Sequence, residues 1–248
     1  MASWSPFHMA LWTLAAHLEA FRERWGAASE RPSGLPSPMD AEARAWRGLA
    51  DRLGAGMAPM VGRWEFPARL RSIFARIAGG DGAAGYHALA ALDPSREVLF
   101  PDQARGAEAP EEEYRNLLRG LDAVLPRAMS AARDHPGAAV AALLGVMARF
   151  LWCVPVSSDE DLQDVPLYDH ARVAAALAAV LAGAPAAQLA EWERALTIGA
   201  PGSPVALLIK GDVSGIQSFL YQVSGKGTAR GLRGRSFYLQ LLSEAVAM

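Results

Sequence analysis

Apolar residues recur at helical spacing through most of the first 200 positions. Between Ser5 and Trp25, apolar residues return every three or four positions and charged residues lie between them. The same pattern predicts a helix with Asp40 as its N-cap, a helix that begins at Pro67, and helices at 111–125, 126–133, 136–153, 169–182 and 185–196. Two short extended segments are expected at 86–89 and 97–100. Residues 1–200 are therefore predicted to form a mainly helical domain.

Residues 201–248 show a different pattern. Val205–Ile209 is a continuous apolar run, as in a buried strand. A tight turn with Asp212, Ser214 and Gly215 follows and leads into a short apolar helix, then a Gly/Arg loop at 225–235 and a last helix at 237–246. These are the first elements of an α/β domain, and because a single strand cannot pair its own backbone, it needs partners outside this segment.

Composition and charge exclude several classes of protein. The 248 residues include a single cysteine, Cys153, which excludes a disulfide framework and a cysteine-rich zinc site. The formal net charge of −2 excludes a uniformly basic nucleic-acid binder. The chain opens without a secretory signal pattern, and its apolar stretches are too short or too alanine-rich to span a bilayer. We therefore expect a cytoplasmic protein without membrane contact.

The charges are unevenly distributed. Residues 201–248 carry a net charge of +3, from Lys210, Lys226, Arg230, Arg233 and Arg235 against Asp212 and Glu244, so residues 1–200 carry −5. A phosphate-bearing ligand is expected to bind the C-terminal part.

Two candidate sites lie in this C-terminal part. Asp212 follows a predicted strand and precedes a glycine turn, a position where α/β folds hold metal and phosphate; a simple turn or N-cap role explains it equally well. The glycine-spaced Arg230, Arg233 and Arg235 allow guanidinium groups to approach phosphates, although a solvated loop is the alternative. The segment is not a P-loop, because Gly227 stands where Ser or Thr is needed.

Two further patterns bear on catalysis. The Gly79–Gly82 segment resembles the Gly-Gly-Asp turn of nucleotide cyclases, but it lacks flanking apolar strands and is interpreted as a linker. None of the five histidines is followed by aspartate, whereas a histidine–aspartate phosphohydrolase requires that dipeptide to hold metal. A complete hydrolytic metal site is therefore not expected.

Several segments resemble one protein family. Residues 210–221 (Lys-Gly-Asp-Val-Ser-Gly-Ile-Gln-Ser-Phe-Leu-Tyr) and 231–242 (Gly-Leu-Arg-Gly-Arg-Ser-Phe-Tyr-Leu-Gln-Leu-Leu) are similar to the polymerase-like large subunit of type III-A (Csm-type) CRISPR effector complexes. Pro166–His170 and Leu70–Ile77 resemble further segments of that family, in the same order along the chain. An unrelated helical protein with a chance match in its tail is the remaining alternative.

The resemblance implies an HD-like helical domain at 1–200 and the start of a ferredoxin-like, nucleotide-binding palm domain at 201–248. Full-length members use ATP and a divalent metal, make cyclic oligoadenylates with a second palm, and often cut single-stranded DNA with the HD domain. Their partners are the other effector subunits, guide RNA and target RNA. No cofactor is certain for this chain. The resemblance also implies nucleotide or RNA phosphate contact by one set of residues: Asp212, Ser214, Gly215, Arg230, Arg233 and Arg235.

The sequence departs from the family pattern in the helical domain. His17 is followed by Leu18, so the His-Asp pair is missing, and His17, Asp169 and His170 are candidates for a remnant metal site. The chain also ends at Met248 without a second palm. The first hypothesis is therefore the N-terminal part of such a large subunit, which serves as a scaffold with half of a nucleotide-binding palm and has no catalytic residue of its own. The alternative is a metal-dependent nuclease of single-stranded DNA, and enzymatic activity stays open.

Overall fold

The computed structural model describes residues 5–26, 35–36, 41–54, 67–77, 85–132, 135–159, 162–207, 214–221 and 228–247. The chain divides into two compact units, Met1–Ala206 and Leu207–Met248. Helices dominate the described part of the first unit: α1 (Pro6–Trp25), α2 (Ala41–Gly54), α3 (Phe74–Ile77), α4 (Arg96–Leu99), α5 (Glu111–Ala131), α6 (Pro136–Leu151), α7 (Leu167–Leu181) and α8 (Ala186–Ile198). The second unit contains α9 (Ile216–Tyr221) and α10 (Thr228–Ala247).

Helix α1 is the centre of the first unit. Pro6 occupies its first turn, where a missing N–H costs nothing, and Gly26 ends it with φ of 94°. The helix contacts α5, α6 and α7, and its buried Leu14 and Leu18 lie in the main apolar core with α5 and α6. Met9 lies in a second core with residues of α2, α7 and α8. The amphipathic spacing predicted for residues 5–25 therefore corresponds to a helix that is buried along most of its length.

Helix α7 contacts α1, α2 and α6 through a face of small residues. Ala171, Ala174, Ala175 and Ala178 are all buried on it, at the spacing that places residues on one side of a helix. Because alanine side chains are short, neighbouring backbones can approach such a face closely. His170 lies on this same buried face, so its ring is enclosed by the contacts of α7 with its neighbours.

The helix predicted from Pro67 is wrong over its first half. The Arg69 N–H donates to the Ala107 carbonyl at 2.6 Å, and the Arg71 N–H donates to the Gln163 carbonyl at 2.9 Å. These long-range bonds use the backbone donors that a helix would need, so only Phe74–Ile77 is helical. Gly85, with φ of +63°, lies so close to the Asp102 backbone that an added Cβ would be 2.3 Å from its carbonyl carbon.

Two other local predictions differ from the structure. The extended segment expected at 97–100 is wrong, because Asp93 Oδ1 accepts the Ser95 N–H at 2.8 Å and the chain enters α4 directly. The helices expected at 111–125 and 126–133 are one helix that contains Pro126. The segment at 86–89 contains isolated bridges from Tyr86 to Arg71 and Asp102. The described residues contain bridges of this kind and no strand.

The second unit has its arginines on a helix. Residues 228–235, predicted as part of a loop, belong to α10, which is continuous from Thr228 to Ala247. The contact of Arg235 with α9 stabilises the N-terminal part of this helix. Gly231 and Gly234 are accommodated within it, although each lowers helix propensity by about 1 kcal/mol. Asp212, the Ile209 end of the predicted strand and residues 225–227 lie outside the described residues, and Val205–Leu207 shows no strand. The palm assignment stays a prediction.

Candidate metal centre

Three metal-ligating side chains from three helices converge inside the first unit. His17 comes from α1, Asp51 from α2 and His170 from α7. Each offers one ligand atom, and these atoms all lie within 4.8 Å of one another. His17 and His170 are both 4% exposed, and their rings meet edge to face with centroids 5.3 Å apart. Among the described residues, this cluster is the one group with a donor set suited to a metal ion.

The orientation of His17 is fixed within its own helix. Its Nδ1 lies 2.7 Å from the Thr13 carbonyl oxygen. Because a carbonyl only accepts hydrogen bonds, Nδ1 is the protonated nitrogen and donates to it. Nε2 then faces Asp51 Oδ1 at 3.3 Å. In the neutral ring, Nε2 carries a lone pair, so a proton or a cation between these two atoms stabilises the arrangement.

Asp51 is the anionic member of the cluster. Its side chain is 27% exposed, and its Oδ2 lies 3.8 Å from Nε of Arg47. Burial raises the pKa of the Asp51 carboxyl. The close contact with His17 and the charges of His17, Arg47 and His170 together lower this pKa by a larger amount. The net pKa therefore lies below its ordinary value, and Asp51 is ionised at neutral pH.

His170 is the neutral member. Its Nε2 is buried and has no hydrogen-bond partner among the described residues. Burial lowers the pKa of His170 to about 4, the charge of His17 lowers it as well, and Asp51 opposes both effects. The imidazole is therefore uncharged at neutral pH, which is the form that binds metal. A buried ring nitrogen that lies beside a carboxylate and has no partner in the described part of the chain fits a metal-binding role.

The structure treats the three remnant candidates differently. It brings His17 and His170 together but places Asp169 outside the cluster: its side chain is 47% exposed and pairs with Arg172 at 3.1 Å. Consecutive residues of a helix point about 100° apart, so His170 can face the interior while Asp169 faces solvent. Asp51 was missed by sequence reasoning, because no motif links it to either histidine. Its only signal was a carboxylate directly beside the apolar stripe of α2.

The predicted phosphate-binding residues lie in the second unit. Arg230 and Arg233 are exposed and three positions apart on α10, while Ser214 and Gly215 are exposed just before α9. Arg235 is half-buried: its Nη1 donates to the Phe219 carbonyl, and its guanidinium lies 5.0 Å from the centre of the Phe219 ring. Arg230 and Arg233 are thus exposed to solvent, whereas Arg235 connects α10 to α9. Their phosphate role stays a prediction.

Comparison with known proteins finds similarity to one family. The family model described as Csm1 subunit domain B matches residues 205–248. The chain is also 30% identical over 188 residues to a protein of Mycobacterium tuberculosis named CRISPR system single-strand-specific deoxyribonuclease Cas10/Csm1 (subtype III-A), a match that covers 73% of this chain and 22% of that protein. The chain therefore resembles Csm1 proteins over most of its length.

Other Csm1-family proteins match the same chain. A protein of the same name from Thermococcus onnurineus is 35% identical over 162 residues, which is 64% of this chain and 18% of that protein. One from Enterococcus italicus is 34% identical over 109 residues, or 39% of this chain and 14% of that protein. The chain therefore spans about a fifth of the length of the relatives from Mycobacterium tuberculosis and Thermococcus onnurineus. In its described residues, no helix is long and apolar enough to cross a membrane.

Proposed function

We propose that this chain is part of the large subunit of a type III-A CRISPR effector complex, which acts in the cytoplasm with the other effector subunits, guide RNA and target RNA. Within it, the helical unit binds a divalent cation and cuts single-stranded DNA. The observation that carries this proposal is the convergence of His17, Asp51 and His170. The relatives are named single-strand-specific deoxyribonucleases, which supports the same substrate.

The residues present fit a divalent metal. Two imidazole nitrogens and one carboxylate oxygen are ligands that zinc, manganese, nickel and ferrous iron accept, and three protein ligands leave positions open for water and substrate. The three ligand atoms lie within 4.8 Å of one another. Small side-chain rotations would place each of them about 2.0–2.2 Å from a shared metal ion, the usual metal–ligand distance. A bound divalent cation would act as a Lewis acid and lower the pKa of a coordinated water.

The chain's own residues have distinct tasks in this proposal. The Thr13 carbonyl holds the His17 ring so that Nε2 faces the centre. His170 stays uncharged because it is buried, and Asp51 supplies the negative charge that balances part of the cation's charge. Asp51 thus gives the helical unit a carboxylate although Leu18 follows His17. This favours the nuclease hypothesis over a helical unit that is only a scaffold.

The direct test is cleavage of a labelled single-stranded DNA by the purified chain. After treatment with a chelator, activity should return with Mn²⁺ or Ni²⁺, remain absent on duplex DNA, and be lost in His170→Asn and Asp51→Asn. Asp169→Asn is the matched control, because it changes the carboxylate next to His170 that faces solvent. Absence of cleavage by the wild-type chain with Mn²⁺, Ni²⁺, Zn²⁺ and Mg²⁺ would refute the proposal.

For the second unit, we propose contact with nucleotide or RNA phosphates through Arg230 and Arg233. Both guanidinium groups are exposed on α10, in a segment of positive net charge. In this proposal the unit is half of an ATP-binding palm that contributes to cyclic oligoadenylate synthesis in the full-length protein. The double substitution Arg230→Glu/Arg233→Glu should abolish ATP binding measured by calorimetry in the assembled complex, and unchanged binding would contradict the proposal.

A further inference from the structure

The candidate metal centre has a fixed positive charge on one side. Arg47 lies one turn before Asp51 on α2, and its Nε is 3.8 Å from Asp51 Oδ2. This Nε is buried and makes no hydrogen bond within the part of the chain that the structure describes, although the whole side chain is 34% exposed. The two oxygens of Asp51 therefore face different partners, with Oδ1 toward His17 and Oδ2 toward the guanidinium.

Among the described residues, the centre has no further ligands of the kind that a second cation would need. Leu18, next to His17, is fully buried in the apolar core, and Asp169, next to His170, pairs with Arg172. In the described segments, the centre thus offers three ligand atoms and a single carboxylate. A pair of cations is usually bridged by carboxylate, but here the second oxygen of that carboxylate lies beside a permanent positive charge, which would repel another cation.

The guanidinium is also placed to act on an anion. Its partial exposure means that a ligand entering from solvent can reach its outer N–H groups. The contact with Asp51 is longer than a hydrogen bond, so the donor groups are not committed to it. A guanidinium matches the geometry of a phosphate with two parallel N–H···O bonds, and arginine keeps its charge at all relevant pH values.

We propose that the centre holds one divalent cation per chain and that Arg47 is its phosphate-binding residue. Arg47 then provides the second positive charge that a two-cation site would obtain from its second ion. This inference rests on the proposed function of the helical unit. The ligand class is a phosphodiester or a simple phosphate anion that contacts the cation on one side and Arg47 on the other.

The first experiment counts ions. The purified 248-residue chain, stripped with EDTA, is titrated with Mn²⁺, and bound metal is measured by elemental analysis and by the electron paramagnetic resonance signal of free Mn²⁺. One ion per chain is expected, with loss of binding in Asp51→Asn and retention in Asp169→Asn. Two ions per chain would overturn this inference and leave the proposed function standing, whereas no bound ion would overturn the proposed function as well.

The second experiment tests Arg47 without relying on cleavage. Inorganic phosphate is titrated into the Mn²⁺-loaded chain, and its Kd is read from the change in the Mn²⁺ resonance signal. Arg47→Ala should raise the Kd about tenfold or more without weakening Mn²⁺ binding, and Arg47→Lys should restore part of the affinity. Arg52→Ala is the control, because Arg52 lies on the same helix but pairs with Glu193 at 2.7 Å. An unchanged phosphate Kd in a folded Arg47→Ala chain would overturn the role of Arg47.

Discussion

The burial of His170 makes the stability of the metal-free chain depend on pH. Its pKa is about 4 in the folded chain against an ordinary value of 6.5, so between these values the unfolded chain binds a proton that the folded chain does not. The neutral, buried His170 therefore makes its full contribution to the free energy of unfolding above pH 6.5, and this contribution is lost as the pH falls toward 4. At about 1.4 kcal/mol per pKa unit, the full loss is at most about 3.5 kcal/mol, of which about 3 kcal/mol is reached at pH 4.

The prediction is checked by urea unfolding, followed by circular dichroism, at several pH values between 7.5 and about 4 in EDTA. His170→Asn should reduce the pH-dependent loss of stability by up to about 3 kcal/mol, which corresponds to roughly 6–12 °C in Tm for a unit of this size. Some dependence should remain, because burial also lowers the pKa of His87. Asp51 adds little in this range, because its pKa lies below its ordinary value of 3.8.

The matched control is His8→Asn, which changes an exposed histidine of the same helical unit. Its stability should follow the wild-type dependence on pH. If the difference in unfolding free energy between wild type and His170→Asn is the same at pH 7 and at pH 4.5, then the folded and unfolded chains protonate His170 alike. That result would refute the argument that burial keeps this ring neutral.

Three further predictions concern packing. Leu121→Ala should lower the free energy of unfolding by about 3 kcal/mol in urea titrations, because the side chain is fully buried in the main core. Ala174→Leu, one turn after His170 on the buried face of α7, should cost about 1–3 kcal/mol and weaken Mn²⁺ binding, because the larger side chain forces α7 away from its neighbours. Arg235→Ala should speed amide exchange in α9, because the contacts with Phe219 are lost.

Each of these variants has a control on the same helix. Val124→Ala and Ala176→Leu change exposed positions of α5 and α7, and both should alter stability by less than about 1 kcal/mol. Arg233→Ala should leave exchange in α9 unchanged. Equal effects of a buried substitution and its exposed counterpart would contradict the burial on which the prediction depends.

Helix positions could be predicted where burial is one-sided and local. Residues 5–25 and 185–196 have apolar residues at regular spacing, and they correspond closely to α1 and α8. The helix prediction failed at residues 67–72 for a physical reason. Backbone donors of this segment pair with residues 107 and 163, and no pattern within a short window indicates such distant partners. Periodicity therefore predicts a helix where its apolar face determines the structure, and it does not predict segments whose hydrogen bonds go to distant residues.

The candidate centre was predictable in part. The resemblance to the Csm1 family pointed to His17 and His170, and the missing His-Asp pair was visible in the sequence. The place of Asp51 in the centre could not be predicted, because its proximity to the two histidines depends on how α2 contacts α7 in three dimensions. The exposure of Asp169 follows from the same packing, since a helix rotated by one residue would have buried it in place of His170.

The three ligands are far apart in the order of synthesis. His17 belongs to α1 and His170 to α7, so a ribosome adds 152 residues between them. At about 5–20 residues per second, roughly 8–30 s pass before the second histidine exists. A nascent chain therefore has no complete candidate centre until α7 has left the ribosome and packed against α1, and before that point the three side chains cannot converge.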